Sequence, residues 1–137
     1  MAVATWSPDG KLGGVEIVAS TAFTGDTTNS DGVTVGKGKM RIVVAVTAIE
    51  VASSNELFNI DIEANTEAAS TTWYRIGNLC LGAAEVTGRA ADDAIDEYEF
   101  IVDNPYDYQI RATTYVVGSV ATGITFSITA YPCLFKE

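Results

Sequence analysis

Histidine is absent from this chain of 137 residues. Its absence removes the Ser-His and Cys-His nucleophile arrangements and the commonest metal ligand. Cysteine is scarce: Cys80 and Cys133 are the only two, which is no disulfide framework in a chain this long. They read as free, partly buried thiols suited to a reducing compartment. Basic residues are also few, with 8 Lys and Arg against 18 Asp and Glu and a formal net charge of −10. Binding a phosphate backbone depends on clustered Lys and Arg, so no nucleic-acid partner is expected. No apolar run approaches the roughly 18 residues needed to cross a bilayer. The N-terminus lacks a basic region followed by an apolar segment and a cleavage site, so neither membrane nor export is expected.

What the chain does have is alternation. Between Glu56 and Glu63, Phe58, Ile60 and Ile62 fall on one side and Asn59, Asp61 and Glu63 on the other. Successive side chains of an extended chain point to opposite faces, so this is a strand with one apolar and one wet face. Just before it, Arg41 to Val51 is rich in β-branched residues and apolar on both faces, as in a strand covered from both sides. Ala52, Ser53, Ser54 and Asn55 lie between the two and suit a short antiparallel turn. The expectation is a central hairpin covered by the rest of the chain.

Residues 1–14, with Trp6, Ser7-Pro8-Asp9-Gly10 and Gly13-Gly14, show no sustained period and read as an N-terminal arm. Trp6 is there either to tuck onto its own domain or to anchor another chain. Residues 15–137 form one domain, of a length and apolar share sufficient for a core. Val15, Ile17 and Ala19 alternate with Glu16, Val18 and Ser20 in a first strand, and Thr21 to Asp31 reads as turn. Val33 and Val35 give a short strand before the flexible Gly36-Lys37-Gly38-Lys39. Trp73 to Leu81 carries a strand signal interrupted at Gly77, the mark of a bulge or a close backbone approach. Gly82 to Asp96 is a long loop.

The last third is β throughout. Tyr98, Phe100 and Val102 oppose Glu97, Glu99, Ile101 and Asp103, and Asn104-Pro105-Tyr106-Asp107 makes a turn. Tyr108, Ile110, Ala112 and Thr114 oppose Gln109, Arg111, Thr113, Tyr115 and Val117. Ile124, Phe126, Ile128 and Ala130 then oppose Thr125, Ser127, Thr129 and Tyr131. About eight short strands between Gly, Pro, Asn and Asp turns predict an all-β antiparallel sandwich of the jelly-roll kind. An immunoglobulin-like sandwich gives the same periodicity, although the chain exceeds the roughly 100 residues of that fold.

Candidate chemistry is sparse. Thr24 to Gly32 holds two aspartates and an asparagine, but lacks the oxygen-ligand spacing and terminal glutamate of an EF-hand loop, and reads as a surface loop. Asp92, Asp93, Asp96 and Glu97 make the best metal candidate, yet no second ligand set accompanies them, so a solvated acidic loop is expected. Paired carboxylates alone can hydrolyse glycosides. With 18 acids present some pair can always be imagined, so the count decides nothing, and neither an enzyme, a metal nor a cofactor is expected. Trp73, Tyr74, Tyr115 and Tyr131 offer either core and interface packing or a sugar-stacking platform.

Several pieces carry a family likeness. They are Gly36-Lys37-Gly38-Lys39-Met40-Arg41 leading to Val46-Thr47-Ala48, Trp73-Tyr74-Arg75-Ile76-Gly77, Leu81-Gly82, Asn104-Pro105-Tyr106 with Arg111, and Gly118 with Ala121-Thr122-Gly123-Ile124-Thr125-Phe126. Together, across residues 15 to 131, they resemble the jelly-roll capsid decoration (cement) proteins of tailed bacteriophages, in particular the cement protein family of a Bordetella phage. The first fourteen residues lie outside the likeness.

The resemblance implies a homotrimer on the outer surface of the phage head, assembled in the host cytoplasm, that clamps neighbouring major capsid protein subunits. An acidic surface would keep such a protein off the packaged genome. Several weak contacts acting together would hold it. On this reading Trp6, Lys37, Lys39, Arg41, Arg75 and Arg111 are the candidate partner contacts, the three arginines facing Asp or Glu of the next chain at the trimer seam. The alternative is a jelly-roll carbohydrate-binding module.

Overall fold

A computed structural model describes residues 14–28, 32–83 and 95–132. Trp6, the acidic pair Asp92 and Asp93, and Cys133 lie outside the described residues. Nine strands and no helix are found among the described residues: β1 (Val15–Phe23), β2 (Thr27–Thr28), β3 (Val33–Thr34), β4 (Gly38–Ile49), β5 (Leu57–Ala64), β6 (Tyr74–Gly82), β7 (Glu97–Asn104), β8 (Gln109–Val117) and β9 (Ile124–Pro132).

The strands form two sheets, in the orders β1-β9-β4-β7 and β2-β8-β5-β6, with β3 also paired to β8. All pairings are antiparallel. Since β2 and β3 share one flank of β8, they count as one interrupted strand, and the fold has eight strand positions. Of the steps between successive positions, β5 to β6 alone stays within a sheet as a hairpin. All the others cross to the opposite sheet. That alternation is the jelly-roll topology, and it excludes the immunoglobulin-like arrangement.

Period-two patterning explains why the sheets face each other. Ile42 and Val44 of β4 and Phe126 and Ile128 of β9 are fully buried, as are Phe58, Ile60 and Ile62 of β5 and Ile110 and Ala112 of β8. These rows interdigitate as one core between two layers. Gly77 marks a place where β6 and β7 of the two layers approach closely. A Cβ there would lie 2.7 Å from Val102 Cγ1 and 3.1 Å from Phe100 Cε2. The register also slips beside it, since Gly77 faces Ile62 while Arg75 faces Glu63. The bulge and the close approach expected from the sequence therefore coincide.

Three expectations are corrected. The strands β4 and β5 are not a hairpin: β4 pairs with β7 and β9, and β5 with β6 and β8. Laid in one sheet, the two would need other layers to cover their apolar faces; set opposite each other, they cover one another. Residues 50–56 are thus a corner between sheets, with Ser54 at φ 62 and the Glu56 carboxylate accepting from Ser53 N at 2.6 Å. Second, β4 is buried on one face alone, through Met40, Ile42, Val44 and Val46, while Arg41 is exposed and Val43 and Ala45 are half-buried among their cross-strand neighbours. Third, β1 runs on through Thr21 to Phe23, where a turn was expected, and it buries Val18 beside Ile17 because its register shifts on both sides of Val18. Phe23 closes that end of the core against Phe126, with ring centroids 4.8 Å apart.

Candidate functional site

Each sheet turns one broad face outward, and these faces hold most of the candidate residues. On the β1-β9-β4-β7 sheet, Arg41 lies in register with Tyr131 on one side and Ile101 on the other. Its guanidinium sits 4.6 Å from the Tyr131 ring centroid and pairs with Glu99 at 3.2 Å. Lys39 lies opposite Asp103, and Lys37 is exposed in the turn that leads into β4. Glu97 on β7 and Glu16 on β1 point the same way, in register with Ala45 and Thr129. In strand positions this face carries four carboxylates, Glu16, Glu97, Glu99 and Asp103, against two cations, Lys39 and Arg41, a balance of −2.

The outer face of the other sheet is built differently. Arg111 Nε donates to Glu63 Oε1 at 3.0 Å, and Thr113 Oγ1 donates to the same oxygen at 2.6 Å. The Arg111 guanidinium also lies 4.2 Å from the Trp73 ring centroid. One register step along β5, Asp61 Oδ1 accepts from Asn78 Nδ2 at 2.6 Å and lies 3.9 Å from Arg75 Nη1. Asp61 and Thr113 are buried although they point outward, because the longer side chains around them close over the cross-strand row. Two carboxylates and two guanidiniums leave the strand positions of this face electrically neutral.

Beyond that network the same face becomes apolar. Leu57 lies between Val117 and Gly82, and Asn59 between Tyr115 and Cys80. Val117 is 56% exposed and Tyr115 41%. Cys80 carries a free thiol on an exposed residue, its pKa raised by partial desolvation of the sulfur.

The sequence matches no family model, and no curated protein is similar to it.

Polar groups at the ends of the sandwich are committed to the fold. The Glu50 carboxylate accepts from Thr122 N at 2.6 Å, from Ala121 N at 3.0 Å and from Thr122 Oγ1 at 2.8 Å. These bonds, the Thr122 amide first, hold its pKa below the ordinary 4.5. Glu50 and Val120 line an open groove of about 380 Å³ between the 50–56 and 118–123 loops. Beside it, burial pushes the Glu56 carboxyl up, but the amides of its own turn, led by Ser53, bring it below the ordinary value. Asn65 holds the end of β5 through Ser70 O and Gln109. Asn104 closes the β7–β8 turn, accepting from Tyr106 N at 3.1 Å and donating to Gly36 O at 3.2 Å. Asp26, from the segment weighed for calcium, accepts from Val116 N at 2.8 Å. Asp96 of the acidic loop accepts from Glu97 N at 2.7 Å.

The candidate contacts are therefore split. Lys39 and Arg41 share one face, while Arg75 and Arg111 lie on the opposite one, each beside a carboxylate of its own chain. A single flat seam cannot take all three arginines. The aromatics of the sugar-binding alternative are dispersed as well. Tyr131 lies under Arg41, Trp73 lies under Arg111 on the other sheet, Tyr74 packs on Tyr106 at 5.7 Å, and Tyr115 is exposed beside Val117 further along β8. They form no common stacking plane. Tyr115 and Val117 are legible from sequence as exposed-face residues for a subunit interface, but Leu57 beside them is not, because Leu57 and Val117 are 60 positions apart and meet through β5–β8 pairing alone.

Proposed function

We propose that this chain is a structural decoration protein of a phage head, working as a homotrimer that binds the outer surface of the shell and ties neighbouring major capsid protein subunits together. The observation that carries the reading is the distribution of exposed large apolar side chains. Ile101 is exposed on one broad sheet face and Tyr115 and Val117 on the other, and large apolar and aromatic side chains suit the core of a contact with protein. The jelly-roll topology and the resemblance of residues 15 to 131 to phage cement proteins support the same reading. The acidic balance of the chain suits a protein placed at high copy number outside packaged DNA.

The test has two steps. Light scattering coupled to size exclusion should give a native mass three times that of the chain. The purified protein should then co-sediment with assembled, undecorated heads and not with unassembled capsid subunits. A mass of one chain at every concentration, together with no sedimentation on heads, would sink the proposal.

A further inference from the structure

We infer that the outer face of the β2/β3-β8-β5-β6 sheet, centred on Leu57, Tyr115 and Val117, is where copies of this chain contact one another, leaving the β1-β9-β4-β7 face toward other partners. The inference rests on the trimer reading above and adds to it the identity of the seam.

Charge is the first argument. A second copy carries the same −10, so surfaces brought together must not concentrate acid. The β1-β9-β4-β7 face has four carboxylates against two cations, three of those carboxylates along β7. A neighbouring copy of the same net charge brought against that face would meet carboxylates in excess at close range. On the other sheet Glu63 and Asp61 already have Arg111 and Arg75 beside them, within the same chain. Burying pairs that are already formed leaves no carboxylate alone in a dry interface. Asp26, beside β8, is committed to Val116 N.

Clustering is the second argument. Large exposed apolar side chains among the described residues are Tyr74, Ile95, Ile101, Tyr115 and Val117. Only Tyr115 and Val117 occupy successive outward positions of one strand. Leu57, in register with Val117, extends them across to β5. Single exposed apolar residues are ordinary on protein surfaces, whereas a contiguous group rimmed by satisfied polar residues is the usual form of a contact site. Tyr115 and Val117 fit the apolar centre of such a patch, with the Arg111-Glu63-Thr113 network as its polar rim.

The test compares three proteins by light scattering coupled to size exclusion across a dilution series, with circular dichroism to check folding. The wild type should run at three times the chain mass. Val117→Glu, an exposed change that puts a charge at the centre of the patch, should lower that mass threefold, to that of one chain. Ile101→Glu, equally exposed on the opposite sheet, should run as the wild type does. If Val117→Glu keeps the wild-type mass, or if Ile101→Glu is the variant that dissociates, the seam lies elsewhere and this inference fails while the trimer stands. A wild type that is monomeric at every concentration overturns the seam and the trimer together.

Discussion

Arg41 and Arg111 carry the same charge and each faces a glutamate and an aromatic ring, yet their surroundings separate them. The Arg111–Glu63 pair is 23% and 12% exposed, and the Arg41–Glu99 pair 44% and 50%. Water screens the exposed pair, whose net contribution falls under about 1 kcal/mol. The half-buried pair is a charge-assisted hydrogen bond worth about 1.5–3 kcal/mol. Urea unfolding should therefore show Arg111→Ala losing roughly 2 kcal/mol, with Arg41→Ala close to wild type. Glu50 supplies a pH dependence. Its folded-state pKa is depressed below 4.5, so its contribution is complete above that value and is lost as pH falls through the folded pKa. Melting temperatures should separate wild type from Glu50→Gln most at pH 7, and the gap should close on acidification below the ordinary 4.5.

Among the elements, strand identity was readable and strand pairing was not. The alternations in β5, β7, β8 and β9 each place the expected residues inward. Pairing depends on which edges remain open after the whole chain folds, so a short polar connection such as residues 52–55 reads equally well as a hairpin turn or as a corner between sheets. Asp61 shows the same limit: its outward position was legible, but its burial depends on side chains from β6 and β8. Packing between elements gives three expectations. Phe126→Ala should cost about 3–5 kcal/mol, since the ring is fully buried against Phe23 and shrinkage leaves a cavity. Gly77→Val should destabilise by about 1–3 kcal/mol through overpacking between β6 and β7. Ile101→Thr, on the exposed side of β7, should change stability by no more than about 0.5 kcal/mol. Thermal and urea unfolding of the three variants would check this order.

For the whole molecule the governing quantity is a net charge of −10. Copies of such a chain repel until salt screens them, over a Debye length of about 10 Å at 0.1 M. Self-association through the neutral face should therefore tighten as sodium chloride rises from low ionic strength toward 0.15 M, and a dilution series at each salt would measure it. An attraction of Lys37 and Lys39 to acidic groups of the shell would be screened over the same range, so head binding should weaken. Lys37 and Lys39 stand at the start of β4, away from the proposed seam. Reversing both should reduce co-sedimentation with heads and leave the native mass unchanged; unchanged head binding would remove them from the contact.

The sequence alone determined the all-β class, the positions of the main strands, which side chains of most of them face inward, and the exclusion of histidine chemistry. These properties are local: they follow from period two, from β-branched content, and from which residue types are present at all. Tertiary structure decided the crossing of β4 and β5 to opposite sheets, the burial of Asp61 and Thr113, the separation of the arginines onto two faces, and the joining of Leu57 to Val117. Each of these needs hydrogen bonds between segments far apart in the chain. Antiparallel pairing is open to any two strands with free edges, so its choice is made by the fold as a whole, through the burial of both apolar faces in one core.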